Sequence, residues 1–193
     1  MKITQATKEQ AREIAKLIML AMNYECCQNL AGPNHTLNEF EDLMTELVSM
    51  DESQHSYKNT LVAVNENNEV AGICVSYHGA DLKKLRKVFI EKALQKFNID
   101  YRDMKDEAQP DELYIDSIAI LPQYRRKGIA KELIMHALNK AKDMKIDKIG
   151  LLVDKDNPHA ERLYTTQGFR YVDDTDWGGH PMKHLQYLIT FYG

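Results

Sequence analysis

The stretch from Leu113 to Leu121, LYIDSIAIL, is the sequence feature that most restricts the fold. It is almost continuously apolar and has the length of a single strand. A strand with one wet face alternates polar and apolar residues, whereas such a run suits a strand buried on both faces. The sequence therefore predicts a central strand in a sheet covered by helices on both sides. Asp116 lies inside this run, where an unpaired carboxylate would be costly to bury.

Apolar periodicity predicts the remaining elements. Capping-box patterns that start at Thr7 and at Thr36 each open a helix, and the segment containing Gly32 and Pro33 separates these two helices. The alternation of strands and helices in the second half predicts a mixed sheet with helices on both faces. In chain order we expect a strand at 2–6, helices after 7 and after 36, a hairpin of 60–64 with 70–77, a helix at 81–98, the strand at 113–121, a helix from 129, a strand at 148–153, a short helix at 158–167, and strands at 169–172 and 184–192.

Composition limits the class of protein. The chain has 193 residues, of which 44% are hydrophobic, and a net charge of −4, which predicts one domain over residues 1–193 and no general polyanion-binding surface. No window reaches the roughly 18 apolar residues of a membrane span, and no cleavable leader is recognisable. Cys26, Cys27 and Cys74 are odd in number, and the first two are adjacent, which fits a reducing compartment. We expect a cytoplasmic protein with no membrane partner. We also expect no metal, because no set of candidate ligands has zinc-like spacing.

Three cations precede a glycine where a helix is predicted to begin, in Arg125, Arg126, Lys127 and Gly128. A helix N-terminus leaves four backbone N–H groups without partners and carries about half a positive charge, so it attracts anions. Gly128 has no Cβ, which lets a phosphate approach the backbone. The segment therefore predicts a pyrophosphate site at the end of a strand. A solvent-exposed basic loop is the alternative, because neither standard nucleotide-binding glycine motif is present.

The segment NPHAERLYTTQGF, residues 157–169, predicts a short helix with marked ends. Asn157 is a good N-cap, Pro158 suits the first helical position, and Gly168 is placed just after the C-cap. Helical spacing then brings three side chains to one face, and the small side chain of Ala160 leaves space beside it. These are Ala160, Leu163 and Tyr164.

Together these two segments resemble the signatures of the GNAT superfamily of acyl-CoA-dependent N-acyltransferases. The first signature, Gln/Arg-x-x-Gly-x-Gly/Ala, is matched by Arg125, Gly128 and Ala130 after a strand that ends in SIAILP. The second, an Asn, a short helix with Ala and Leu-Tyr, then Gly-Phe, is matched by residues 157–169. The resemblance is strong from about residue 113 to 172. It implies a central mixed, mostly antiparallel sheet of about six or seven strands with helices on both faces, and an inserted helix at 81–98 after the third strand.

The resemblance also implies that acetyl-CoA, or a related acyl-CoA, is the co-substrate. Its pyrophosphate would lie on the backbone amides of residues 126–131, and its pantetheine would pair like a strand with residues 118–120. The expected contacts to the co-substrate are Ile118, Ala119, Ile120, Arg125, Arg126, Lys127, Gly128, Ile129, Ala130, Lys131, Asn157 and Tyr164.

Direct attack of an amine on the thioester needs an unprotonated amine and a proton for the departing thiolate. Tyr164 is the candidate proton donor, since a phenol with a pKa of about 10 stays protonated at neutral pH. A tyrosine packed in the core is the alternative. Asp116 is the candidate that orients or deprotonates the amine, with a structural role as the alternative and with Tyr114 and Glu112 as fallback candidates. The family geometry implies the backbone N–H of Ile118 as the oxyanion donor.

The resemblance places the acceptor pocket around the first two helices and the loops before the late strands. Tyr24, Tyr114, Trp177 and His180 are the candidate contacts. We expect a small-molecule primary amine as the acceptor, with a protein N-terminus or lysine as the alternative. The same region contains Cys26 and several acidic residues, which either favour a cationic amine or form a solvated face. The acidic residues are Glu25, Glu39, Glu41, Asp42 and Glu46.

Two other classes of function stay open at this stage. The helix at 81–98 carries six cations, which would suit a nucleic-acid or protein-binding module, but the overall acidity favours a plain amphipathic helix and no nucleic-acid partner. A module that binds acyl-CoA without transferring the acyl group is the third class. We keep a homodimer as an alternative to a monomer.

Overall fold

A computed structural model, which describes residues 1–190, contains a seven-stranded sheet and six α-helices within that range. The strands are β1 (Lys2–Gln5), β2 (Thr60–Val64), β3 (Val70–His78), β4 (Leu113–Ile120), β5 (Lys148–Asp154), β6 (Arg170–Trp177) and β7 (His180–Leu188). The helices are α1 (Ala11–Met22), α2 (Tyr24–Ala31), α3 (Leu37–Ser49), α4 (Leu82–Phe97), α5 (Ile129–Asp143) and α6 (Pro158–Thr166).

The strands lie in the order β1-β2-β3-β4-β5-β7-β6. Every neighbouring pair is antiparallel except β4 with β5, which run parallel. The predicted mixed, mostly antiparallel sheet is therefore confirmed, and α4 follows β3 as the inserted helix was expected to do.

Helices cover both faces of the sheet. On one face α1 to α4 form a core in which Phe40, Leu43 and Leu47 are fully buried. On the other face α5 contributes Leu133 and Ile134 to a second core. β4 lies between β3 and β5 and sends side chains to both cores, so the apolar run is the central strand that the sequence predicts. Among the helices of residues 1–190, none is both long enough and apolar enough to cross a membrane.

β4 and β5 run side by side for only a short distance. Leu113 pairs with Ile149, and the pairing ends where Ile115 meets Leu151. Beyond that point the two strands separate, and no strand of residues 1–190 pairs with this edge of β4. A gap therefore opens in the middle of the sheet, lined on one side by free backbone groups.

The pairing of β3 with β4 changes register beside this gap. Val75 lies opposite Ser117, whereas Ser76 lies opposite Ile115. Asp116 consequently has no partner residue on β3 and occupies a β-bulge. The bulge, and not the regular alternation of a strand, therefore decides where the side chain of Asp116 points.

A partly buried lysine supports the irregular pairing. Lys140 on α5 donates from Nζ to the carbonyl oxygen of Ser76 at 2.6 Å and to its hydroxyl at 3.1 Å. Burial lowers the pKa of Lys140, because the charged ammonium loses water. The helix thereby stabilises β3 at the position where its register with β4 shifts.

Helix α2 was not predicted. The sequence predicts that the first helix ends in a break before Gly32, but the break is a single residue, Asn23. Its φ of 65° ends α1, and its side-chain oxygen accepts the N–H of Cys26 at 2.8 Å to cap α2. Gly32, with φ of 81°, ends α2 as a glycine in the left-handed region commonly does.

The last hairpin is longer than predicted. β6 reaches Trp177 instead of ending at residue 172, and Phe169 lies before it, buried in the core. β7 begins at His180 and includes Pro181. Residues 191 and 192 of the predicted last strand lie outside the described part of the chain. Both capping boxes are confirmed, at Thr7 and at Thr36.

Candidate active site

The turn between β4 and α5 forms one wall of a groove of about 640 Å³. Gly128 is the N-cap of α5, with φ of 79°, a conformation that favours glycine. A Cβ built on Gly128 would meet no atom within 4 Å, so its open side faces free space. The first turn of α5 follows directly, which places a helix N-terminus at the groove.

Most residues expected to contact the co-substrate line this groove, although their role in binding stays a prediction. Lys127 is the one expected contact that does not line the groove. Its ammonium lies 5.3 Å from the centre of the Tyr124 ring, which is a cation–π geometry. Arg125 donates from Nε to the carbonyl oxygen of Ile120 at 3.1 Å. The lining residues are Ile118, Ala119, Ile120, Arg125, Arg126, Gly128, Ile129, Ala130, Lys131, Asn157 and Tyr164, together with Leu20, Ala21, Tyr124, His159, Ala160 and Leu163.

A second cavity, of about 430 Å³, lies beside the gap between β4 and β5. It carries four carboxylates, and no lysine or arginine among residues 1–190 lines it. The cavity should therefore attract cations and repel anions. We refer to it as the acidic cavity; its carboxylates are Glu107, Asp116, Asp154 and Asp156.

The Asp116 side chain is largely buried in the wall of this cavity, with 12% of its surface exposed. Its Oδ1 has no hydrogen-bond partner in residues 1–190, and the nearest cation-forming group is His55 Nε2 at 3.5 Å. Tyr114 also lines the cavity and is 4% exposed. A buried carboxylate oxygen without a partner is costly, so a hydrogen-bond donor that enters the cavity would be bound strongly there.

Glu107 differs from Asp116 because it is paired. Arg86 on α4 makes a short ion pair with its carboxylate, and Gln54 donates to it at 3.1 Å. Burial raises the pKa of Glu107, Arg86 opposes that rise, and the nearby charge of Asp116 adds to it. The inserted helix therefore supplies the cation that stabilises one wall of the acidic cavity.

Tyr164 lines both the groove and the acidic cavity. Asn157 caps α6 by accepting the N–H of Ala160 at 3.1 Å, and the ring of Tyr164 packs edge-on against Phe169 at 5.9 Å between centroids. Gly168 follows the C-cap with φ of 103°, so the predicted short helix and both of its ends are confirmed. Burial raises the pKa of the Tyr164 phenol above its ordinary value of 10.0, because the phenolate would lose water.

A sequence profile of the acetyltransferase (GNAT) family matches residues 24–169, more than half of the chain and both signature segments. The chain belongs to the GNAT family of acetyltransferases. The GNAT fold is also found in solved relatives. A crystal structure described as an acetyltransferase is 29% identical, with a TM-score of 0.79 and coverage of 98% of this chain and 100% of that one. An N-acetyltransferase from Staphylococcus aureus Mu50 is 26% identical, with a TM-score of 0.81 and coverage of 97% and 100%.

A curated relative matches over a shorter stretch. GCN5-related N-acetyltransferase 4, chloroplastic, from Arabidopsis thaliana is 44% identical over 59 residues, which are 31% of this chain and only 20% of that relative. This likeness supports membership of the GNAT family and leaves the acceptor to be argued from the site itself.

The structure brings two of the four predicted acceptor contacts of this GNAT protein to the acidic cavity. Tyr114 and Trp177 line it. Tyr24 does not, because its side chain is 53% exposed on α2, which begins after the Asn23 break. His180 does not line it either, but its Nδ1 lies 3.2 Å from Asp154, which does.

The acids on α3 of this GNAT protein face other partners. Asp42 and Glu41 pair with Arg12, and Glu39 pairs with His35 and the backbone of Thr36. None of them lines the acidic cavity. Of the acids that do line it, Asp154 ends β5, Asp156 follows it, and Glu107 lies in the loop after α4. The spacing of these residues in the sequence gave no reason to join them with Asp116.

The cations of α4 are offset by nearby acids, which weakens the nucleic-acid interpretation. Arg86 is buried against Glu107, and Lys92 and Lys96 both reach Glu46 on α3. The other three lie within 4 Å of a carboxylate as well; they are Lys83 with Asp106, Lys84 with Glu52 and Lys87 with Glu91.

Glu112, a fallback candidate for the base, is fully buried outside both cavities. Its carboxylate accepts the backbone N–H of Gln109 at 3.0 Å and the side-chain amide of Gln186 at 2.7 Å, and lies 3.0 Å from His184 Nε2. Gly150 on β5 makes this possible, because a Cβ there would overlap the carboxylate. Glu112 is therefore held in a buried hydrogen-bond network away from both cavities, a position that does not favour it as the base.

Gly150→Ala should lower the free energy of unfolding by about 2 kcal/mol, because the new methyl group must displace a buried, fully bonded carboxylate. Guanidinium titration of the variant and the parent measures the difference. A variant as stable as the parent would mean that the Glu112 carboxylate moves aside at little cost and is not held firmly by these contacts.

Proposed function

We propose that this GNAT protein transfers an acetyl group from acetyl-CoA to a small primary amine that arrives as a cation. One observation carries the proposal: a groove with a helix N-terminus and a cavity with four carboxylates meet at Tyr164, where β4 and β5 separate. The groove has the chemistry for a phosphorylated thioester, and the cavity has the chemistry for an ammonium ion.

The groove suits acetyl-CoA on physical grounds. The N–H groups at the start of α5, the open side of Gly128 and the guanidinium groups of Arg125 and Arg126 together favour a pyrophosphate. The free edge of β4 offers backbone donors and acceptors to the amide groups of the pantetheine, which would pair with it as a strand does.

The acidic cavity suits a cation of small size. Its volume of about 430 Å³ falls in the range of small-molecule sites, and its carboxylates would attract an ammonium group and repel an anion. Asp116, with a free oxygen beside the gap, is placed to orient the amine. A protein N-terminus or lysine side chain is the competing acceptor, since either also presents an ammonium group.

The proton balance assigns two roles. An ammonium substrate loses two protons on becoming an amide, while the leaving thiolate gains one. We assign the first proton lost by the ammonium to Asp116. Tyr164, which lines both cavities, delivers its phenol proton to the thiolate and takes up in exchange the second proton that the nitrogen loses. The released thiol and one proton to solvent complete the reaction.

Thiol release from acetyl-CoA with a panel of amines tests the proposal. The panel should include 1,5-diaminopentane and lysine, which differ by one carboxylate, and peptides with a free N-terminus or an internal lysine. We expect the diamine to give the higher kcat/KM, because the acidic cavity repels a carboxylate. Calorimetric uptake of CoA without thiol release for any amine would instead support the binding module, and absence of uptake would refute both.

The protein's own thiols should not disturb this assay. Burial raises the pKa of Cys26 to about 11 and of Cys27 and Cys74 to about 12, so no thiolate is present at neutral pH. The dye DTNB should therefore detect no protein thiol within minutes in native buffer, and three per chain in guanidinium. Rapid reaction of a cysteine in the native protein would contradict the buried position of that cysteine.

A further inference from the structure

Behind the acidic cavity lies a cavity of about 20 Å³, between α1, α3 and the turn that precedes β2. Met22 and Trp177 line both cavities and so form the partition between them. The wall is otherwise apolar, apart from Gln54 and His55. A cavity needs about 10–15 Å³ to hold one water molecule, so this one is large enough for a single water.

Two buried polar atoms beside this small cavity lack hydrogen-bond partners in residues 1–190. They are His55 Nδ1 and Trp177 Nε1. Leaving such atoms unpaired is costly, and a water molecule with two to four polar neighbours removes that cost. The small cavity thus has the size and the polar atoms of a buried water site.

The other ring nitrogen of His55 faces Asp116. Nε2 lies 3.5 Å from Asp116 Oδ1, and the imidazole side chain is 8% exposed. His55 is held on a buried turn, since Asn59 donates to the carbonyl oxygens of Ser53 and Gln54. The imidazole therefore stands in a rigid position between the carboxylate of Asp116 and the small cavity.

We propose that His55 acts with Asp116 to take the first proton of the acceptor's ammonium group. This inference rests on the proposed function. The N–H bond of the ammonium breaks, and its proton passes to Asp116 and on to His55 Nε2. The imidazolium then stands beside the carboxylate of Asp116, while its Nδ1–H donates to a water in the small cavity. After the amide product leaves, the proton returns through Asp116 to solvent.

The charges around His55 fit this role. Asp116 on β4 faces it directly, and Glu107, paired with Arg86 of α4, lies behind Gln54. An imidazolium would add a positive charge where two carboxylates and one guanidinium already stand. The pair Asp116 and His55 would thus hold a proton while the neutral amine attacks the thioester. Neither Tyr164 nor the thiolate can accept this proton at that stage.

His55→Gln tests the proposal, because a glutamine amide can donate a hydrogen bond toward Asp116, as an imidazole N–H could, but cannot take up a proton. With 1,5-diaminopentane at pH 7 we expect kcat/KM to fall about 30-fold. The deficit should shrink as the pH rises toward the pKa of the amine, about 10, because an unprotonated amine needs no acceptor. His136→Gln, an exposed histidine outside both cavities, should match the parent.

A deficit of the same size at every pH, or none at all, would overturn the proposal, since the first indicates a structural effect and the second no role. If the parent protein transfers acetyl to no amine, the proposed function fails instead. A high-resolution crystal structure tests the geometry behind the inference independently of activity. A water molecule bonded to both His55 Nδ1 and Trp177 Nε1 would support it, and an imidazole turned away from Asp116 would refute it.

Discussion

Replacing Tyr164 by phenylalanine is expected to lower kcat about 100-fold, because the substitution removes the hydroxyl we assign as proton donor to the thiolate. KM for acetyl-CoA should change little, since the ring keeps its packing against Phe169. Steady-state thiol release across acetyl-CoA concentrations separates the two parameters. Tyr171→Phe, which removes a hydroxyl from an exposed tyrosine outside both cavities, is the matched control.

The pH profile distinguishes a proton donor from a packing residue. A general acid works only while it is protonated, and burial raises the pKa of Tyr164 above 10.0, so the fall in kcat should lie on the alkaline side of that value. Tyr164→Phe should lower kcat and should also remove this fall at alkaline pH from the profile that remains. A variant with the parent's rate and the parent's profile would show that Tyr164 is a core tyrosine and nothing more.

Replacing Asp116 by asparagine should lower kcat about 100-fold to 1,000-fold, because an amide can neither accept the proton of the ammonium nor attract its charge. The change keeps the size of the side chain, so the bulge and the packing of β4 should persist. Thermal unfolding measured beside the kinetics should show a midpoint close to that of the parent. Stability should even rise slightly, since a buried carboxylate with an unpaired oxygen is removed.

Asp42→Asn is the matched control for Asp116→Asn, because Asp42 is an exposed acid on α3 that pairs with Arg12. It should leave kcat and KM unchanged. If Asp116→Asn instead keeps the parent's rate while losing several degrees of thermal stability, Asp116 has the structural role that the sequence analysis left as its alternative.

Local signals predicted most of the elements. Thr36 and Asn157 start their helices because a side-chain oxygen beside the first turn accepts an N–H that would otherwise be unpaired. The run from Leu113 was placed at the centre of the sheet because only a strand buried on both faces tolerates so little alternation. Helix α2 was missed, since its separation from α1 depends on the backbone of one residue, Asn23.

The groove was predicted more fully than the acidic cavity, for a reason of chain distance. The turn before Gly128 and the α6 segment are continuous in sequence, so their chemistry can be recognised in a short window. Glu107, Asp154 and His55 come from a loop, a strand end and a distant turn. No local pattern joins them, and Lys127 was assigned to the groove because its interaction with a neighbouring ring was not foreseen.

From the amino-acid order alone came the family, the central strand, the helix N-terminus at Gly128 and the position of Tyr164 on a short capped helix. The family followed from the resemblance of two short segments to its signatures, whereas the other three depend on backbone hydrogen bonding and apolar periodicity within a few residues. Only the tertiary structure decided the separation of β4 from β5, the bulge that turns Asp116, and the meeting of four acids with His55 near one cavity. Strand register and long-range packing are set by contacts across the whole chain, and such contacts cannot be read from a short window of sequence.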